Sequence, residues 1–293
     1  MCPISAVSCI ALNVTQFEAS RGFFIDVWGL VPVGETEERL DFSAAAGSAP
    51  LVSLYRSDRD GLAYIQLKAT SREAVDKLHK RAVQMGCEVS GLVDDDHGYS
   101  FSLTDFEGRT IKVTCPPGKI TTVPEQASGL SCRLSHIVLN TRDLQKAADF
   151  YVALLDMRVS DWSEDKMVFL RASSEHHCLA FNLGEVVSLN HAAFEVPSID
   201  ALMRCLGRLR KFDALTWGPG RHGPGDNVFL YCLGPSNFVV EYTAEIQYVD
   251  EDTHKAKVWE RKPELLDQWG TAGMPPEKLR ACMTGASLTG SSA

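Results

Sequence analysis

Apolar positions along the chain follow two rhythms, and the same succession of rhythms returns further on. Leu144, Ala147, Ala148, Tyr151, Leu154 and Leu155 recur at spacings of three and four, which predicts an amphipathic helix over Leu144 to Met157. Ile199, Leu202, Met203, Leu206 and Leu209 repeat that spacing behind Ser198, a residue suited to an N-cap. Phe17 to Leu30 reads as a third helix. Between these stretches the apolar residues alternate or run in short β-branched blocks, as in Val7-Ser-Cys9-Ile-Ala-Leu and Leu134-Ser-His136-Ile-Val-Leu, which predicts strands. Asp105-Phe-Glu-Gly108 and Gly234-Pro-Ser-Asn237 have turn chemistry between strands, placing Lys112 and Glu241 early in the strand that closes each half. Each half therefore reads as strand, helix and several short strands, twice over.

The two halves are copies by the same measure. Cys9 and His136 sit in matching strands at an offset of 127, and Tyr64 and His191 share that offset in Leu62-Ala-Tyr64-Ile-Gln-Leu and Asn190-His191-Ala-Ala-Phe. Lys112 and Glu241 match at 129. The expected organisation is an N-terminal domain over residues 1–118, a linker over 119–130, a second domain over 131–247, and a tail over 248–293 that serves partly as a lid and ends in disorder. Where the second half carries His136, His191 and Glu241, the first carries Cys9, Tyr64 and Lys112. A protonated lysine cannot ligate a cation, so the first half is expected to be metal-free and the second to carry the chemistry.

Composition narrows the class. A chain of 293 residues with 45% hydrophobic and 23% charged residues can bury a large core. A net charge of −9 argues against sequence-independent binding to nucleic acid or anionic membranes, which need clustered Lys and Arg. The first residues have no basic segment leading into an apolar run, and no stretch approaches a membrane span, so a cytoplasmic protein is expected. The nine cysteines form no C-x-x-C pair and read as buried reduced thiols.

His136, His191 and Glu241 each stand alone among apolar, strand-forming neighbours, where an unpaired polar group is costly to bury. Two imidazoles and one carboxylate form a facial triad that leaves three adjacent positions of an octahedral ion open, which suits non-haem Fe(II) chemistry with O₂. A lone His136 in a strand would more simply be a core or interface histidine. Its pairing with two partners at duplicated positions favours a ligand.

Gly218-Pro-Gly-Arg221-His222-Gly-Pro-Gly-Asp-Asn-Val-Phe-Leu-Tyr231, running on to Glu241, carries a wider resemblance. A His after Gly-x-x-Arg, a Tyr nine residues on and a carboxylate ten past the Tyr resemble the signature of type I extradiol ring-cleavage dioxygenases of the vicinal oxygen chelate superfamily. His136, His191 and the His before Ala180-Phe181 at 177 match its other landmarks. The likeness carries motifs over residues 130–246 and only architecture over 1–118. Gly234 departs from it, standing where an Asp is usual in the turn. The resemblance implies an α+β fold of two domains, each of two paired βαβββ modules forming cup-shaped mixed sheets. It implies that His136, His191 and Glu241 bind Fe(II), with Mn(II) accepted by the same set, and that a catechol-type aromatic diol and O₂ are the small-molecule partners. His177 is implied as the acid–base residue, preferred over His176, with His222 and Tyr231 hydrogen-bonding substrate oxygens. Relatives commonly form homo-oligomers.

Two rival classes follow from the same fold. A glyoxalase-like lyase or epimerase would use Zn, Ni or Co and usually a fourth protein ligand, for which the first half offers only Cys9, Tyr64 and Lys112. A metal-free protein that binds aromatic ligands would keep the cups and lack the ligands. His79, His97 and His254 carry no motif and read as surface residues, and Arg221 reads equally as a substrate-steering cation or a structural ion-pair partner. Whether the diol is monocyclic, bicyclic or trihydroxylated is not encoded in any motif.

Overall fold

Residues 2–117 and 132–285 are described by the computed structural model. In the first half the elements are β1 (Ile4–Val14), α1 (Phe17–Gly22), β2 (Val31–Glu35), β3 (Arg39–Ser43), β4 (Val52–Arg56), β5 (Gly61–Ala69), α2 (Arg72–Gln84), β6 (Val93–Asp95), β7 (Gly98–Thr104) and β8 (Thr110–Cys115). The second half repeats them as β9 (Arg133–Thr141), α3 (Leu144–Leu155), β10 (Arg158–Ser163), β11 (Met167–Arg171), β12 (Leu179–Leu183), β13 (Ser188–Glu195), α4 (Ile199–Lys211), β14 (Trp217–Arg221), β15 (Val228–Leu233) and β16 (Val239–Ala244). The tail adds β17 (Lys257–Trp259), α5 (Pro263–Leu266) and α6 (Glu277–Met283). The fold is α+β, four strand-helix-strand-strand-strand units in a row.

Each half is one mixed sheet, ordered β2-β3-β4-β1-β5-β8-β7-β6 in the first and β14-β15-β16-β13-β9-β12-β11-β10-β17 in the second. The central pair is antiparallel in both, β1 with β5 and β9 with β13. Cross-strand register explains the duplicated positions. Ala193 stands opposite His136 on one side and Glu241 on the other, while Gln66 stands opposite Cys9 and Lys112. His191 and Tyr64 lie two residues earlier on the same strands, so the period of two puts each trio on one face of its sheet.

Helix limits follow local chemistry. Ser198 is the N-cap of α4, its hydroxyl accepting from Ala201 N at 3.1 Å, and Asp143 caps α3 by accepting from Lys146 N at 2.9 Å. The helix expected over Phe17 to Leu30 is only α-helical through Gly22, and Phe23–Val27 forms a wider π turn. One more residue per turn brings Phe23 and Trp28 onto the same side, their rings stacked at 6.0 Å, while Phe24 packs between Phe42 and Phe238. Those aromatics belong to a core shared by both halves: Trp28 stacks on Tyr242 at 3.7 Å, and Tyr151 of α3 donates its hydroxyl proton to Asp105 of the first half at 2.9 Å.

The Gly234 turn differs from its counterpart for a packing reason. Asp105 binds the amides of Glu107 and Arg109 through its side chain, both at 2.9 Å, whereas a Cβ at Gly234 would lie 2.0 Å from the Phe238 ring. The ring that bridges the halves excludes the usual aspartate. The linker expected at 119–130 lies outside the described residues. Of the last dozen residues, expected to lack order, Cys282 and Met283 close α6, and 286–293 lie outside the described residues. No described helix is long and apolar enough to cross a membrane.

Candidate metal centre

His136 on β9, His191 on β13 and Glu241 on β16 converge, each buried, with one ligand-type atom apiece within 4.8 Å of the others. His136 Nε2 lies 3.4 Å and His191 Nε2 3.2 Å from Glu241 Oε2. Among the described residues that oxygen has no hydrogen-bond partner, whereas Oε1 accepts from the Asn227 side-chain amide at 3.1 Å. A fully buried carboxylate oxygen with no donor is an expensive arrangement unless a cation takes the place of one. The donor set, one hard oxygen and two imidazole nitrogens, fits a divalent first-row ion.

The neighbours of the ligands turn the correct atoms inward. Asn190 donates its amide protons to Asn140 Oδ1 at 3.1 Å, so its own oxygen faces His191 Nδ1 at 2.8 Å. His191 must then donate from Nδ1, which leaves the Nε2 lone pair for a metal. His136 Nδ1 lies 3.3 Å from Ser135 Oγ, the same arrangement in weaker form. Asn227 also donates to Thr243 Oγ1 at 2.8 Å, which fixes the amide on Glu241. Burial drives His191 below an ordinary imidazole against the pull of Glu241, so it is neutral, as a ligand must be.

The three remaining candidates surround this triad. His177, between β11 and β12, brings its ring centroid to 4.4 Å from that of His136, and burial pushes its pKa well below the usual value. Tyr231 is paired with Glu241 across β15 and β16, its ring 5.2 Å from that of His191. Its hydroxyl lies 3.1 Å from His222 Nε2, while His222 Nδ1 lies 2.9 Å from the backbone oxygen of Leu266 and therefore donates to it. His222 Nε2 is thus an acceptor, and Tyr231 donates to it. Val138, Phe169 and Ala180 form a small apolar cluster on this side of the sheet, with Phe169 against both His176 and His177.

Several expectations change. His254 is not a free surface residue: it donates to Ser160 O at 2.9 Å and sits 3.7 Å from buried Asp161, because the tail folds back over β10. Arg221 is a structural ion-pair partner of Asp226 and Glu245, stacked on Trp269 at 5.2 Å. Phe181 packs on Tyr151 in the core. Asn190, Asn227 and Asp161 were not singled out from sequence. Asn190 adjoins a ligand and Asn227 lies within the Gly218–Glu241 stretch, but only strand pairing shows what an asparagine holds.

Residues 133–242 match the Glyoxalase/Bleomycin resistance protein/Dioxygenase superfamily. Metapyrocatechase 2 of Cupriavidus necator is 30% identical over 269 residues, covering 84% of this chain and 82% of that protein. The chain belongs to this superfamily, among its extradiol ring-cleaving dioxygenases. The iron-dependent extradiol dioxygenase of Rhodococcus jostii (strain RHA1) is 27% identical over 197 residues, 60% of this chain and 62% of that enzyme. The crystal structure of the Mn(II)-bound glyoxalase from Novosphingobium aromaticivorans superposes with a TM-score of 0.85 and 34% identity, covering 95% of this chain and 94% of that one.

Proposed function

We propose that this enzyme opens the ring of a catechol-type aromatic diol beside its hydroxyls, placing both atoms of O₂ in the product, with Fe(II) held by His136, His191 and Glu241. The observation that carries this reading is the donor-less Oε2 of Glu241 facing two imidazole nitrogens, with His177, His222 and Tyr231 gathered around it. Held by these three residues, iron would supply Lewis acidity and redox activity beside the diol and O₂, an advantage of proximity. Mn(II) satisfies the same donors.

The protein's own groups then have distinct tasks. His177, kept neutral by burial, takes the proton of a substrate hydroxyl and later returns one to the opening ring. Tyr231 and His222 share one hydrogen bond, and rotation of the Tyr231 hydroxyl toward substrate supplies a donor for a developing oxyanion. Phe169, Val138 and Ala180 exclude water from one side. The nine free cysteines fit a reducing, cytoplasmic setting in the breakdown of aromatic compounds, and we assign the chain to a homo-oligomer of two-domain protomers divided as the duplication predicts, with no nucleic-acid or membrane partner.

Incubating iron-loaded protein aerobically with a panel of catechols should yield a yellow product and consume O₂. Glu241→Ala should abolish both, and turnover that survived this substitution would end the proposal. A glyoxalase-type reaction is the second reading, favoured by the 34% identity to a protein of that name. Among the described residues the ligand cluster holds three members and no fourth. Strict dependence on O₂ separates the two.

A further inference from the structure

His176 is buried outright, one residue before the acid–base candidate, and the reading above gives it no task. Its ring bridges two groups. Nε2 lies 3.1 Å from Asp161 Oδ2 and Nδ1 lies 3.0 Å from His177 Nδ1. Asp161 is itself fully buried, in β10, and accepts from Trp259 Nε1 at 2.6 Å and from the Lys257 amide at 3.0 Å. Those two donors, with His254 3.7 Å from Oδ1, are partners for an ionised carboxylate, which can only accept. Burial would raise Asp161, yet these bonds and His176 keep it below its ordinary pKa.

The direction of each hydrogen bond then follows from bookkeeping of protons. Facing an acceptor-only carboxylate, His176 Nε2 must carry a proton. Burial lowers the pKa of His176 despite Asp161, so the ring is neutral and its Nδ1 is a lone pair. The two facing Nδ1 atoms cannot both accept, so the proton between them belongs to His177. A neutral His177 with its proton on Nδ1 has a bare Nε2, and that nitrogen has no hydrogen bond among the described residues. Gly225 guards the adjoining edge of the ring: at φ +82 its absent Cβ would lie 2.9 Å from His177 Cε1.

We propose that His176 and Asp161 are positioning residues that hold the proton of His177 on Nδ1, so that its Nε2 lone pair is the atom presented to the substrate hydroxyl. Free imidazoles divide between two neutral tautomers, and the wrong one offers a donor where a base is required. The chain Asp161–His176–His177 removes the wrong one. Its use in catalysis rests on the ring-cleavage reading, whereas the tautomer itself does not.

The test is long-range ¹H–¹⁵N NMR of full-length, metal-free protein labelled with ¹⁵N-histidine, at neutral pH. His177 should show a protonated Nδ1 and an unprotonated Nε2. His176→Phe should move the proton largely to Nε2, while His176→Gln, which can donate to Asp161 and accept from His177, should restore the wild-type pattern in part. His176→Phe leaves Asp161 bonded to Trp259 and Lys257, so a loosened tail does not explain the change. In the iron-loaded enzyme with catechol as probe, His176→Phe should lower kcat about 10- to 100-fold, with KM and iron content nearly unchanged. A wild-type His177 protonated on Nε2, as an imidazolium His176 would impose, overturns the inference, and so does a tautomer that ignores His176→Phe. Failure of catechol to react would instead strike the ring-cleavage reading and leave the NMR result to decide this one.

Discussion

The two oxygens of Glu241 have different partners, and the difference is testable. Among the described residues Oε1 is held by the Asn227 amide and Oε2 by no hydrogen bond, so removing Asn227 strips the carboxylate of the one donor seen there. Asn227→Leu should weaken iron binding about 10- to 100-fold, read by metal titration, because partners of metal ligands typically carry that much affinity. Gly225 is a second such residue. Gly225→Ala forces both a positive φ and a 2.9 Å contact on the His177 ring, so it should reduce kcat well before it reduces iron content, which a metal assay beside a rate measurement separates. Both side chains act through a neighbour, and a sequence records them only as a loop asparagine and a loop glycine.

At the scale of elements, the ligands are precise because they ride on central strands. β9 and β13 lie in the middle of a nine-stranded sheet, and the register that sets His136 opposite Ala193 and Ala193 opposite Glu241 cannot slip without exposing a buried face. The tail contributes from outside. Asn140, which orders Asn190 behind His191, donates to Met283 O of α6 at 2.7 Å, and Leu266 O near the end of α5 takes the His222 proton. Ser198, by contrast, serves only its helix. Ser198→Ala should lower stability by about 1 kcal/mol in denaturant unfolding and leave the rate of the iron-loaded enzyme unchanged.

For the whole molecule, buried neutral histidines set the acid limit. Burial lowers the pKa of His176, His177, His191 and His222 in the fold, whereas the unfolded chain protonates near the ordinary value of 6.5. Below that value the unfolded chain binds more protons than the native one, so stability falls as pH falls and is fully present only above about 6.5. Metal-free protein should lose at least about 3 °C in Tm between pH 7.5 and pH 5.5 by calorimetry, and a flat profile would contradict the neutral cluster. The shared aromatic seam of Trp28, Tyr242, Phe23 and Phe238 joins the first half to the second, so both halves should unfold in one transition.

The sequence by itself determined the duplication, the strand-helix-strand order and the three side chains that converge as a candidate metal site. Period-two and period-3.6 patterns are local, and a polar residue among apolar strand neighbours stands out without any knowledge of its partners. His177, His222 and Tyr231 were singled out through a resemblance rather than through physics. Only the tertiary structure decided which acceptors His191, His222 and His254 face, that His254 lies against Asp161 instead of in solvent, and that Phe23–Val27 widens into a π turn. Each of those depends on groups brought together from distant parts of the chain, and hydrogen-bond direction is a property of the assembled contact.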